Sequence, residues 1–122
     1  MWEKELWIAR RLKVEKNFSG IDIEYFETPK RYAFNYQPLS GNTDMLEYGE
    51  KINDVYRAFV CRSQYQGLIR VGDRVYLSDG EVLEEELQNI ALSDNENCEK
   101  ANYVVKTVLP QNFKMRIDFI KR

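Results

Sequence analysis

The stretch Arg31-Tyr32-Ala33-Phe34-Asn35-Tyr36-Gln37-Pro38 decides the fold, because aromatic side chains occupy every second position from 32 to 36. Alternation with period two places Tyr32, Phe34 and Tyr36 on one face of a β-strand. Proline has no backbone N–H to donate to a ladder, so the strand is expected to end at Pro38. The sequence therefore predicts a half-buried strand whose aromatic face contributes to a core.

The same period recurs on both sides of this strand, with turn residues between the segments. In the first segment the pair Arg10-Arg11 interrupts the apolar pattern, which indicates a bulge or a long twisted strand. In the predicted strand over residues 101–109, the side chains of Tyr103, Val105, Thr107 and Leu109 are expected on one face. Further strands are predicted over 6–14, 21–25, 55–62, 101–109 and 115–120. Residues 68–77 are predicted to form either two short strands or one strand with a corner at Gly72.

A short amphipathic helix is predicted over 81–90, with Val82, Leu83, Leu87 and Ile90 on its apolar side. About seven short strands with one short helix and one long loop are typical of a mainly β, small antiparallel β-barrel or sandwich. Closure hides strand edges in a domain of this size. At 122 residues, the chain is expected to form one such domain over residues 1–122.

Composition excludes several kinds of catalytic and metal site. The chain has no histidine, so it has no Ser-His-Asp triad, no Cys-His dyad and no histidine-ligated metal. Cys61 and Cys98 cannot by themselves supply the four ligands of a structural zinc site. The sequence also lacks a signal-peptide pattern and a membrane-spanning stretch. We therefore expect a cytoplasmic protein with two reduced thiols, the alternative being one disulfide.

Carboxylates supply no recognisable site either. Glu81 and Glu84-Glu85-Glu86 lack the loop pattern of a calcium site and are interpreted as a solvated helix face. Asp73 and Asp79 could form an acid pair, but aspartate beside glycine is ordinary turn chemistry. The sequence predicts no catalytic, metal or cofactor-binding residue, and therefore a protein that is not an enzyme.

Charge is distributed unevenly behind the net value of −2. Residues 81–100 carry one basic and seven acidic side chains, a net charge of −6, whereas residues 101–122 carry five and one, a net charge of +4. Solvated loop and strand faces explain such a pattern. The alternative is head-to-tail pairing between subunits, acidic face to basic face, which closes into a ring when the rotation allows.

The aromatic face of the strand predicted over 31–38 has a second interpretation. Tyr32, Phe34 and Tyr36 could stack on bases of single-stranded nucleic acid, as on an OB-like or SH3-like barrel. A stacking face usually has basic neighbours, and Arg31 is the only cation near it in that strand. The core interpretation is therefore favoured, and the nucleic-acid module remains the alternative function.

Several stretches occur in an order that resembles a known protein family. The head-closure, or stopper, proteins of long-tailed bacteriophages and their defective prophage relatives are small β-barrels of about this length. The resemblance covers roughly residues 30–122. The stretches that carry it are Tyr36-Gln37-Pro38-Leu39-Ser40, Tyr48-Gly49, Asp54-Val55-Tyr56-Arg57-Ala58-Phe59, Ile69-Arg70-Val71-Gly72-Asp73-Arg74-Val75-Tyr76-Leu77, Ala101-Asn102-Tyr103-Val104-Val105 and the strand 115–120.

The resemblance implies a structural role in virion assembly. Proteins of this family form a ring, following the twelve-fold symmetry of the portal, below the portal and its adaptor. They close the channel after DNA packaging and offer the docking surface for the tail. The implied partners are portal, adaptor and tail proteins of the same virion, with packaged DNA contacted indirectly and no membrane. The implied location is the neck of the virion, after synthesis in the bacterial cytoplasm.

The resemblance also implies a site. In this family the long loop after the Gln-Pro strand end points into the channel and plugs it. The loop is polar, with carboxylates that would repel DNA phosphate and apolar side chains that could pack against neighbouring copies. Its residues here are Leu39, Ser40, Gly41, Asn42, Thr43, Asp44, Met45, Leu46, Glu47, Tyr48, Gly49, Glu50, Lys51 and Ile52.

Overall fold

A computed structural model describes residues 4–39 and 54–122 of the chain. The predicted mainly β fold is confirmed, with strands accounting for about half of the structure and one short helix. The strands are β1 (Lys4–Ala9), β2 (Arg11–Lys16), β3 (Asp22–Phe26), β4 (Lys30–Phe34), β5 (Tyr36–Pro38), β6 (Val55–Cys61), β7 (Arg74–Tyr76), β8 (Tyr103–Pro110) and β9 (Lys114–Lys121). The helical elements are the single turn α1 (Arg62–Tyr65), the 3-10 turn η1 (Glu84–Glu86) and helix α2 (Leu87–Ser93).

Seven strands form one curled antiparallel sheet, a half-barrel, in the order β4-β1-β7-β8-β9-β6-β5. The single strand predicted over 31–38 is divided: β4 pairs with β1 at one edge of the sheet, and β5 pairs with β6 at the other. Only Asn35 separates them, so the chain passes from one edge to the other within one residue. Because the sheet curls, its two edges lie close together, and one alternating segment supplies the edge strand at each of them.

The main core fills the concave side of the half-barrel. Phe34 and Tyr36 are buried in it and Tyr32 packs against it, so the core interpretation of this aromatic face is confirmed. The predicted inward face of the last strand is confirmed as well, since Met115 and Ile117 are almost fully buried. The buried members of this core are Leu6, Ile8, Phe34, Tyr36, Ala58, Val60, Ile69, Val75, Leu77, Tyr103, Val105, Met115, Ile117 and Phe119.

In β8 the predicted face is wrong beyond Val105. The register against β9 shifts between Val105 and Thr107, which marks a β-bulge. One extra residue reverses the side on which later side chains lie. Val108 therefore packs against the core, whereas Leu109, predicted to lie on the same side as Tyr103, is 44% exposed.

The first predicted segment is divided between two sheets. β1 lies in the half-barrel, and Leu6 and Ile8 are buried there. After Arg10 the chain enters a separate two-stranded sheet, β2-β3, in which Leu12 and Val14 are exposed. The predicted bulge is present, since the register shifts between Arg11 and Lys13.

The predicted helix is displaced along the sequence. Residues 84–86 form the 3-10 turn, and α2 extends three residues beyond the predicted end. Leu87 and Ala91 are buried in a second core beside Trp7 and Tyr76, on the other side of the sheet. Leu83 was expected on the apolar side of the helix and is instead 51% exposed, because it precedes the helical residues.

The segment 68–77 makes a corner and contributes one short strand, β7. A turn precedes β7, with the Asp73 N–H donating to the Arg70 carbonyl at 3.2 Å. Gly72 has φ +96°, the left-handed conformation that the third residue of a type II turn requires. Of the two predicted alternatives, the structure has the corner at Gly72, but with strand only after it, since residues 68–73 are not in a strand.

Candidate functional site

The predicted plug loop lies almost wholly outside the described residues. Of residues 39–52 only Leu39 is described, and the structure therefore locates the two ends of the connection. The Leu39 N–H donates to the Val55 carbonyl at 3.1 Å, directly after the paired strands β5 and β6. Leu39 and Val55, which flank the connection, thus lie side by side at the edge of the half-barrel.

A buried ion cluster lies beside these two ends on the outer face of the sheet. Arg57, opposite Gln37 of β5, donates from Nε to Asp118 Oδ1 at 2.8 Å and from a terminal nitrogen to Oδ2 at 3.2 Å. Arg116 also donates to Asp118 Oδ2, at 2.9 Å. Asp118 is fully buried. A two-point guanidinium–carboxylate contact has fixed geometry, so the cluster holds β6 and β9 rigidly at the base of the connection.

Two buried tyrosines, Tyr36 in β5 and Tyr103 in β8, bond to the segment that follows β7. The Tyr36 hydroxyl donates to the Ser78 carbonyl and accepts from the Ser78 N–H, and burial raises the pKa of Tyr36 to about 12. The Tyr103 hydroxyl donates to Asp79 at 3.1 Å, and burial raises the pKa of Tyr103 too. These bonds fasten the 78–82 segment to the sheet.

The two aspartates considered as an acid pair have separate structural partners. Asp73 is fully buried and accepts backbone N–H bonds from Arg11 and Arg70, each at 3.0 Å. Asp79 accepts from the backbone of Glu81 and Val82. Both carboxylates therefore organise turns, as the ordinary turn interpretation of the sequence expects.

A projecting hairpin was not predicted from the sequence as a functional feature. We call it the arm: strands β2 and β3 with their turn, residues 11–26. All six residues of β2 are exposed. Phe18 at the tip is fully exposed and Ile21 is 61% exposed. The signal was available in the sequence, since Asn17-Phe18-Ser19-Gly20 places an aromatic residue inside a turn, where no core can cover it.

The arm has a rigid tip. The Asn17 side-chain oxygen accepts from the backbone of Ser19 at 2.9 Å and of Ile21 at 3.0 Å. The Asn17 N–H donates to the Ile21 carbonyl, and Gly20 donates back to the Asn17 carbonyl. Four hydrogen bonds thus define a five-residue turn, and Phe18 is displayed on a fixed backbone.

The arm is also fixed at its base. Asp73 accepts the Arg11 N–H, and Arg70 donates to the Arg11 carbonyl at 3.1 Å. Glu24 accepts from Arg74 at 2.6 Å and from Arg11 at 3.3 Å, so one carboxylate ties both arm strands to β7. The orientation of the arm relative to the half-barrel is therefore set by hydrogen bonds on both strands.

The acidic segment and the basic tail meet within one chain. Lys121 lies 3.3 Å from Glu81, and one nitrogen of Arg122 donates to the carbonyls of Cys98, Glu99 and Ala101. The intersubunit pairing considered from the sequence thus has an intrachain counterpart at these positions. The carboxylates of 84–86 lie on the surface and are solvated, as predicted.

Within the described residues, no group of three or more potential ligands is placed to hold a metal ion. Cys61 is exposed and Cys98 is buried, and each is a free thiol. The Ser63 hydroxyl, 3.2 Å from the Cys61 sulfur, lowers the pKa of that thiol, whereas burial raises the pKa of Cys98.

Comparison of the chain with known protein families, with curated proteins and with solved structures found no match. Within residues 4–39 and 54–122, no helix is long and apolar enough to cross a membrane.

Proposed function

We propose that this chain is a structural, non-enzymatic part of the head-to-tail connector of a long-tailed phage or a related prophage. In this proposal it forms a ring below the portal and its adaptor, closes the DNA channel after packaging and offers the tail a docking surface. The family resemblance of residues 30–122 suggests this role, and the mainly β half-barrel is the kind of scaffold that the resemblance implies.

The anchoring of the long connection is the observation that carries the proposal. Residues 40–54 begin and end on paired strands, with Leu39 bonded to Val55 at their base. Beside that base, Arg57 and Asp118 lock the outer face of the sheet. A loop that has to block a channel needs a rigid support, and functional loops are commonly carried on such scaffolds.

Charge is consistent with this role. A plug blocks DNA sterically, so it needs no strong electrostatic affinity for phosphate, and the chain has a net charge of −2. A protein that binds nucleic acid through its phosphates usually has a basic surplus. The aromatic triplet considered for base stacking lies in or against the core, with Tyr36 fully buried. These observations favour the connector over the nucleic-acid module.

Deleting residues 41–50 tests the proposal. The deletion leaves six residues, 39, 40 and 51–54, between β5 and β6, which is an ordinary length for a connection in a compact domain. The variant is therefore expected to fold, which circular dichroism and thermal unfolding check. In the phage or prophage that encodes the chain, it is expected to give heads that attach the connector and lose their DNA.

Nuclease-protected DNA per head and electron microscopy of the heads are the measurements. Asn112→Ala, in the exposed turn between β8 and β9, is the matched control and is expected to leave heads filled. Heads that stay filled with the deletion variant would refute the plug. Genes for portal, capsid and tail proteins beside this gene would support the connector role independently.

A further inference from the structure

Part of the outer face of the sheet is buried beside the ends of the long connection. In β6, Ala58 and Val60 belong to the main core, so Val55, Arg57 and Phe59 alternate onto the outer face. Val55 is fully buried there, yet it belongs to neither of the two cores. Neighbouring strands lie beside a sheet residue and not above it, so full burial on this face needs atoms packed on top of it.

The burial decreases along the strands with distance from the connection. Val55, next to Leu39, has an exposed fraction of 0%, whereas Phe59 further along β6 is 50% exposed. The Arg57 side chain, which lies between them, is 15% exposed. Asp118 of β9, opposite Arg57, is fully buried. The atoms that cover this face therefore extend from the ends of the connection and stop short of Phe59.

The described elements are poorly placed to supply this covering. Within residues 4–39 and 54–122, the main neighbours of β6 and β9 are β5 and β8, beside them in the sheet, and α1, which follows β6 at its far end. The second core covers the outer face at Trp7 and Tyr76, and β8 separates that region from β9. The burial belongs to a single chain without contacts to other copies, so the covering comes from the same chain.

Residues 40–53 have the position and the length to reach this face. They join Leu39 to Asp54 and Val55, at the buried end of the face, whereas residues 1–3 lead into β1, whose partners are β4 and β7. Fourteen residues span roughly 45 Å when extended. Four residues of a strand, from Val55 to Phe59, span only about 13 Å. The segment can therefore run over the face and return.

The charges of the segment and the face are complementary. The face carries Arg57 and Arg116 with one carboxylate, Asp118. The segment has one basic residue, Lys51, and apolar side chains at positions 45, 46, 48 and 52 that could pack on Val55. Its three acidic residues are Asp44, Glu47 and Glu50. An acidic and partly apolar segment suits a face that combines arginines with a buried valine.

We propose that residues 40–53 pack on the outer face of β6 and β9 of their own chain, with their carboxylates toward Arg57 and Arg116. The contact goes beyond the proposed function, because it concerns the isolated chain and rests on the burial of the described face. In a connector ring, the proposed plug would require the segment to leave this face.

Thiol labelling of Val55→Cys measures whether the face is covered. The variant also carries Cys61→Ser, so the other thiol present is Cys98, which is buried in the second core. A maleimide is expected to label the introduced thiol slowly in the full chain and at least about tenfold faster after deletion of residues 41–50, because a buried thiol is inert. Phe59→Cys, at the half-exposed end of the face, is the matched control and should be labelled at the same rate in both.

Neutralising the carboxylates of the segment tests the charge argument without shortening the chain. Asp44→Asn, Glu47→Gln and Glu50→Gln together are expected to speed labelling of Val55→Cys about threefold or more, because they remove the attraction to the arginines. The matched control neutralises three exposed carboxylates elsewhere and should leave the rate unchanged: Glu85→Gln, Glu86→Gln and Glu99→Gln.

Fast labelling of Val55→Cys in the full chain, or equal labelling with and without residues 41–50, would overturn the proposal. Protection that disappears on dilution would also overturn it, by assigning the face to a second copy. If the deletion opens the whole domain, Cys98 becomes reactive too, and the three-carboxylate variant then decides: unchanged labelling in that variant overturns the proposal.

The contact and the plug fail separately. If labelling becomes faster but heads stay filled after deletion of residues 41–50, the contact stands and the plug does not. If heads leak but the labelling rates are equal, the plug stands and another segment covers the face.

Discussion

Removing the Asp73 carboxylate is expected to loosen the arm and destabilise the whole domain. Asp73 is fully buried and accepts the N–H groups of Arg11 and Arg70, each at 3.0 Å. Alanine at this position would leave both backbone donors without an acceptor. One of them opens the first strand of the arm, and the other lies in the turn that leads into β7.

The size of the effect follows from those two bonds. An unsatisfied buried donor costs about 1–3 kcal/mol, so losing the acceptor of both should lower the free energy of unfolding of Asp73→Ala by about 2–6 kcal/mol. For a chain of this length, 1 kcal/mol corresponds to about 4 °C in Tm. The expected decrease in Tm is therefore roughly 8–24 °C. Asp73→Asn keeps one acceptor oxygen and should lose about half as much.

Thermal unfolding by calorimetry measures the effect, and amide hydrogen exchange locates it. The N–H groups of Arg11 and Arg70 should lose protection before those of β9. Asp22→Ala, an exposed carboxylate on the same arm, is the control and should change Tm by no more than about 2 °C. An Asp73→Ala variant with the Tm of the wild type would show that the two bonds contribute nothing net.

Two further predictions concern Gly72 and Tyr36. Gly72→Ala should lower Tm somewhat more than Gly67→Ala: both glycines have positive φ, but only at Gly72 would a new Cβ, 2.8 Å from the Arg11 guanidinium carbon, push that side chain away from Glu24. Equal losses in the two variants would contradict this. Unfolding free energy should fall as pH rises from about 10 to 12, because tyrosine ionises in the unfolded chain while burial holds Tyr36 neutral until about 12. The stabilisation by neutral Tyr36 is fully present below pH 10, so Tyr36→Phe should reduce the loss of unfolding free energy between pH 10 and 12. Urea unfolding at a series of pH values measures that loss, and an equal loss in the variant and the wild type would contradict the prediction.

The strand content was predictable because period two is a local property. The last strand illustrates this, with Met115, Ile117 and Phe119 buried as the alternation predicts. The same rule failed in β8, where a bulge after Val105 shifts the register. No residue type in the sequence marks that bulge, which is a property of the pairing between β8 and β9.

Partner choice within the sheet was not predictable from the sequence. The alternating segment 31–38 reads as one strand, and its division at Asn35 exists only because the sheet curls far enough to bring both edges to the same place. The arm shows a related limit. Leu12 and Val14 fit a core strand by pattern, yet the chain leaves the half-barrel after Arg10, and long-range bonds from Asp73 and Arg74 decide that departure.

The residues of the candidate site were predictable from the sequence to different degrees. The turn roles of Asp73 and Asp79 follow from local chemistry, and the structure bears them out. The exposed Phe18 could have been noticed from its place in a turn. The burial of Asp118 between two arginines could not, since residues 57 and 118 are brought together only by the pairing of β6 with β9.

The pairing of β5 with β6 has a consequence for how such a chain can change over time. Because Leu39 and Val55 are bonded across the base of the long connection, the number of residues between them is independent of the geometry of the sheet. Doubling the length of a loop costs only about 0.6 kcal/mol in closure entropy. Insertions and deletions should therefore accumulate at this position in related chains without disturbing the half-barrel.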